Sequence, residues 1–154
     1  MKLKIWKYCF LLGVLSLTSC SWQEYFVIKN NSNSEITVKY KLSQNSSFTI
    51  FEEIPAIYKA TKKLNIDWEK QLLTKDLDSS KYGVEIKVPA KSILKFGQLS
   101  NDHYSNHSQK FINDRIFNLQ SIEIVSKNNI IFIQPENFDM YFKKTKGNIE
   151  LTIK

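Results

Sequence analysis

The sequence predicts a mainly β protein, an antiparallel β-sandwich of about eight strands with a short helical insertion near residues 56–75. Three observations carry that expectation. Runs such as Glu35-Ile-Thr-Val-Lys-Tyr-Lys-Leu42 and Ile149-Glu-Leu-Thr-Ile153 alternate apolar and polar residues, the pattern of a strand with one face on a core and one in water. The stretch Ile116 to Val125, the turn Ser126 to Asn129 and the run Ile130 to Gln134 read together as a β-hairpin. Turn clusters recur about every 8–12 residues, as in all-β sandwiches, with a closed β-barrel as the alternative.

In chain order, Tyr25-Phe-Val-Ile-Lys29 is a short apolar strand ended by the polar cluster Asn30 to Ser34. Glu35 to Leu42 returns with Ile36, Val38, Tyr40 and Leu42 on one face. Gln44 to Ser47 turns, and Phe48 to Ile54 forms a strand that Pro55 is expected to stop. From Ala56 to Leu77, Ile57, Ala60, Leu64, Trp68 and Leu72 recur at spacings of three or four, which predicts an amphipathic helix, with Asn65 or Asp67 as the cap of a helix over Trp68 to Lys75 and a long irregular connection as the alternative. Trp68 then packs into the core. Asp76 to Gly83 turns, Val84 to Val88 and Ile93 to Phe96 are strands about a Pro89-Ala-Lys-Ser92 corner, and Ser100 to Lys110 is a long exposed loop. After Pro135 comes a mixed segment holding Phe138, Met140, Tyr141 and Phe142, followed by the closing strand at Ile149.

The charge balance excludes one class of partner. The formal net charge of +7 includes Lys2, Lys4 and Lys7, all near the start of the chain. Every basic residue except Arg115 is a lysine, and they are dispersed. Base readout and phosphate forks favour arginine, so no nucleic-acid partner is expected.

The first residues read as an export signal: basic Met1-Lys-Leu-Lys-Ile-Trp-Lys7, an apolar run from Tyr8 to Leu17, and small residues before Cys20. The run has half of the roughly 20 residues a spanning helix needs. Leu17-Thr18-Ser19-Cys20 resembles the lipobox of bacterial lipoproteins. That resemblance implies recognition of Leu17, Thr18 and Ser19 by signal peptidase II, a diacylglycerol on the Cys20 sulfur, cleavage before Cys20 and acylation of the new amine. It divides the chain into a signal peptide at 1–19, a tether at 20–24 and a single domain at 25–154. Ser21, in place of an inner-membrane retention aspartate, implies the outer membrane, with the periplasmic or surface side undetermined. Cys9 leaves with the signal and Cys20 is acylated, so no disulfide is expected in the processed chain. The strand layout is similar to small immunoglobulin-like lipoprotein domains.

Few residues carry catalytic chemistry. His103 and His107, with Asp102 or Asp114, are the nearest approach to a metal site, but no helical pattern puts the histidines on one face and no glutamate follows His103. Asp76-Leu-Asp-Ser-Ser opens like a calcium loop, yet Lys81 stands where the loop needs glycine and Lys87 where it needs a bidentate glutamate. Glu52 and Glu53 are adjacent on a strand and point to opposite faces. No nucleophile elbow or glycine-rich phosphate loop is present. The expectation is a non-enzymatic envelope lipoprotein without a cofactor, held at the membrane through Cys20 and serving a structural or protein-interaction role. The alternative is a glycan- or peptide-binding module using Tyr104, His103, His107 and Trp68.

Overall fold

Eleven strands, a 3₁₀ turn and a single-turn helix are found among the described residues. The computed structural model describes residues 21–43, 49–73, 78–80, 83–105, 115–127, 129–145 and 147–154. The strands are β1 (Gln23–Asn30), β2 (Ile36–Leu42), β3 (Phe51–Ala60), β4 (Ile66–Leu72), β5 (Asp78–Ser80) and β6 (Gly83–Val88). They continue with β7 (Ser92–Ser100), β8 (Leu119–Ser126), β9 (Asn129–Ile133), β10 (Lys143–Thr145) and β11 (Asn148–Ile153). A 3₁₀ turn at Pro135–Asn137 leads into α1 (Phe138–Tyr141).

The strands form a six-stranded sheet in the order β10-β11-β1-β7-β3-β4 and a five-stranded sheet in the order β5-β6-β2-β8-β9. The named strands pair antiparallel except β1 and β11, the first and last of the described strands, which run parallel, and an isolated parallel bridge joins Thr49 to Ile116. The sandwich expectation holds, with eleven strands among the described residues in place of about eight, the additional ones being β4, β5 and β10.

Period-two patterning sorts the faces as expected. Phe26 and Ile28 of β1, Leu94 and Phe96 of β7, and Ile149, Leu151 and Ile153 of β11 face Val38, Tyr40, Ile86, Ile122 and Ile124 of the other sheet in one continuous core. Phe138 and Phe142, stacked at 4.2 Å, close one side of it as α1 carries the chain from β9 to β10. Burying each such side chain stabilises the fold by about 1.5–3 kcal/mol. Two buried asparagines satisfy backbone groups where ladders end. Asn30 donates from Nδ2 to the carbonyls of Ser34, Val88 and Pro89. Asn118 accepts from the Ile50 and Phe51 amides and donates to the Phe51 carbonyl, joining the start of β3 to the start of β8.

The helix expected near residues 56–75 is a β-hairpin. Ile57 pairs with Leu72 and Ala60 with Ile66 across β3 and β4. The turn is closed by Thr61 N–H to Asn65 C=O at 2.9 Å and Leu64 N–H to Thr61 C=O at 2.9 Å, with Leu64 at φ 57°. The three-and-four spacing straddled this turn, so its members do not share a face: Ile57 is buried and Trp68 exposed. Content outweighed spacing, because Ile57, Tyr58, Ile66 and Trp68 are strand-favouring residues. Pro55 does not stop the strand either. It lies in a bulge of β3 where residues 52–55 stand against Phe96 alone, so the ladder does not need its missing N–H.

Candidate functional site

The candidate residues separate into two places. The first is the end of the sandwich where β1 begins and β7 finishes. Gln23 and Glu24, counted with the tether in the sequence, are the first residues of β1, pairing with Ser100 and Leu99. Glu24 is buried at the root of the Ser100–Ser105 segment. One carboxylate oxygen accepts from Lys144 Nζ at 2.7 Å and faces His103 Nδ1 at 2.8 Å. The other accepts the Tyr104 amide at 2.8 Å. Burial works to raise the Glu24 carboxyl pKa. The hydrogen bonds from Lys144, His103 and the Tyr104 amide, with the Lys144 charge, outweigh it and hold the carboxyl below its ordinary value.

Tyr104, read from sequence as an exposed loop residue, is buried. Its ring meets Phe26 edge-on at 5.4 Å and Phe138 at 5.9 Å, and its hydroxyl donates to Asp139 Oδ1 at 2.7 Å. Burial, then the Asp139 hydrogen bond and charge, push its phenol pKa well above the usual tyrosine range. It is a core residue and offers no stacking surface. His103 stays exposed and stacks on Trp22 at 5.1 Å with 18° between the rings. Asp102 is buried and accepts its neighbour's amide, His103 N–H, at 2.8 Å. Among the described residues, no group of three His, Cys, Asp or Glu is arranged to hold a metal ion. His107, Asp114 and Asp76 lie outside the described residues, as do Leu17, Thr18, Ser19 and Cys20. No helix among the described residues is long and apolar enough to cross a membrane.

The second place is the outer face of the six-stranded sheet. The sequence placed Trp68 in the core through a helix; the strand β4 instead leaves it half exposed. It packs against Tyr25 at 4.8 Å and Tyr58 at 5.2 Å. Beneath these rings Val27, Ile66 and Ile93 form a small apolar cluster on the side of the sheet away from the main core. The pairs Lys29–Glu150 at 2.6 Å and Lys95–Glu52 at 2.7 Å flank it, through residues that lie opposite Ile93 and Val27 in the ladder. Burial, then the nearby Tyr58, raise the Tyr25 phenol pKa. Sequence reasoning missed Tyr25 and Tyr58 because a helical reading of 56–75 removes the strand that aligns them with Trp68.

A cleft of about 490 Å³ opens between the ends of β2 and β3, lined among others by Glu52, Glu53, Arg115 and Asn118. Glu52 is paired with Lys95, and the Asn118 side chain is spent on the backbone of residues 50 and 51. Comparison of the chain with family models, curated proteins and solved structures finds no match.

Proposed function

We propose that this chain is a lipid-anchored lipoprotein of the bacterial cell envelope whose sandwich serves a non-enzymatic, protein-interaction role. The anchor is Cys20, acylated after recognition of Leu17, Thr18 and Ser19, and Ser21 favours the outer membrane. The immunoglobulin-like description belongs to this proposal as architecture: two facing sheets support it, while β1 and β2 lying in different sheets departs from the immunoglobulin strand order.

The observation that carries the interaction reading is β9, an outermost strand of the five-stranded sheet. An outermost strand presents a row of backbone N–H and C=O groups to any extended chain, and proteins blunt such edges with charge, proline or brevity. The other three edges are blunted: β5 and β10 have three residues each, β10 carries two lysines, and β4 carries Asp67, Glu69 and Lys70. β9 is Asn-Ile-Ile-Phe-Ile, uncharged, with Ile130 65% and Phe132 51% exposed. That edge fits an extended partner strand with apolar side chains at alternate positions.

The test is a photo-crosslinking amino acid in place of Phe132 in cells making the full chain. A discrete protein adduct that Ile130→Lys removes is the expected result. A probe at Phe132 that yields no adduct in any growth condition overturns the interaction role. The anchor is checked separately, since Cys20→Ser is expected to abolish lipid labelling.

A glycan- or peptide-binding module is the second reading, favoured by the aromatic cluster of Trp68, Tyr25 and Tyr58. Sugars stack on exposed indole and phenol rings, and these stand on a rigid sheet. A glycan array probed with the wild type and Trp68→Ala separates the readings, because the substituted side chain is half exposed and the fold should persist.

A further inference from the structure

We propose that the end of the sandwich carrying Trp22 and the Asn101–Tyr104 segment lies against the lipid surface, with the Trp22 indole at headgroup depth. The inference rests on the reading of Cys20 as the acylated residue and adds which face of the domain meets the membrane.

Trp22 is not part of a free tether. Its carbonyl accepts the Asn101 amide at 3.0 Å, and its own amide donates to Asn101 Oδ1 at 3.3 Å. The indole Nε1 donates to the Asp102 carbonyl at 3.3 Å, and the ring stacks on His103. Asn101 sits at φ 54°, a left-handed turn residue that folds the segment back along β1. Glu24 then fixes the same segment from beneath through His103 and the Tyr104 amide. Trp22 is therefore a rigid feature of the domain, and it is 46% exposed.

Reach sets the occupant. One residue, Ser21, separates Cys20 from Trp22, and the two Cα steps span at most about 7 Å in an extended chain. A cysteine whose sulfur bears diacylglycerol lies at the boundary of headgroups and acyl chains, so Trp22 is held within the headgroup layer. Tryptophan favours that layer, with its ring in the apolar boundary and its N–H satisfied. The charges agree. Glu24 and Asp102, two carboxylates of this end, are 5% and 2% exposed, and Asp139, on the Tyr104 hydroxyl, is half-buried, while the His103 and Lys144 side chains are 61% and 37% exposed. The surface turned to the lipid carries the Trp22 and His103 rings and the Lys144 side chain, with Glu24 and Asp102 turned inward. Trp68 stands on the outer face of β4, three strands from β1 and against Tyr25, and in this orientation it is expected to face water.

The test uses the processed, acylated protein in phosphatidylcholine vesicles whose lipids carry bromine close to the headgroup, a short-range quencher of tryptophan emission. Trp6 leaves with the signal, so Trp68→Phe keeps Trp22 as the one tryptophan of the processed chain and Trp22→Phe keeps Trp68. The expected result is loss of Trp22 emission with Trp68 emission unchanged. An intact acyl mass on Cys20 with Trp22 unquenched overturns the orientation and leaves the anchor standing. Equal quenching of both tryptophans shows a domain lying on its side and also overturns it. A Cys20 that carries no lipid by mass spectrometry removes the anchor reading, and the orientation falls with it.

Discussion

At the scale of single residues, Glu24 sets a pH dependence whose sign follows from its environment. Its folded pKa lies below the ordinary carboxylate value because the Lys144, His103 and Tyr104 hydrogen bonds outweigh the effect of burial. A carboxylate with a depressed folded pKa contributes stability that is fully present above its unfolded value, about 4.3, and is lost as pH falls through the lower folded value. Glu24→Gln keeps the shape but loses the charge-assisted bonds, each worth about 1.5–3 kcal/mol. The variant should therefore melt lower than the wild type at neutral pH, with the gap closing below about pH 4. A melting-temperature series from pH 3 to 7 reads this directly, and a gap that is constant across the series contradicts it. Asn118 gives a second case. Asn118→Ala removes the acceptor of the buried Phe51 amide and leaves the Ile50 amide with only its 3.3 Å bond to the Ile116 carbonyl, and should cost about 1–3 kcal/mol in urea unfolding. Neither residue was legible in the sequence. Glu24 reads as a polar tether residue and Asn118 as a break in an apolar run, because the partners of each lie more than 60 positions away. Cys20 is the opposite case, since the acylation proposed for it rests on the four adjacent residues Leu17 to Cys20 and needs no fold to be read.

At the scale of elements, legibility followed the simplicity of the local pattern. β2, β6 and β11 alternate in the sequence, and β8 and β9 carry a hairpin signal there. The β3–β4 hairpin was not legible, because the bulge at residues 52–55 and the second register shift after Tyr58 break the period-two signal. What remained were spacings of three and four, which mimic a helix. The bulge also explains the demand at Gly97. A Cβ there would lie 2.9 Å from the Ile50 carbonyl oxygen and 2.9 Å from the Phe51 ring, where β7 passes the start of β3. Gly97→Ala forces backbone apart on a packed aromatic cluster of Phe26, Phe51 and Phe96. The expected cost is about 1–3 kcal/mol, read from the urea midpoint, and near-neutral behaviour would show that β3 can shift there freely.

At the scale of the whole molecule, the sequence gives away the number of layers but not the order of strands. Alternation says which residues face inward, and it is silent on which strand each one pairs with. The order found makes β1 depend on the far end of the chain: it lies between β7 and β11, with Phe26 opposite Ile149 and Ile28 opposite Leu151. A chain emerging N-terminus first presents β1 long before β11, its neighbour in the sheet, arrives. Folding is then governed by non-local pairing, and refolding should fall in the millisecond-to-second range of all-β domains. The same dependence makes the C-terminus indispensable. Ending the chain at Thr145 removes Ile149, Leu151 and Ile153 from the core and bares β1, the strand that bears Trp22 and Glu24 at its root. Such a chain should lose its cooperative urea transition and become protease-sensitive along its length, whereas removal of Lys154, which lies beyond β11, should leave the transition unchanged. A cooperative transition retained by the shorter chain would mean that β7 and β3 hold β1 without β11, and the parallel pair would then be an accessory to the sandwich and not its closure.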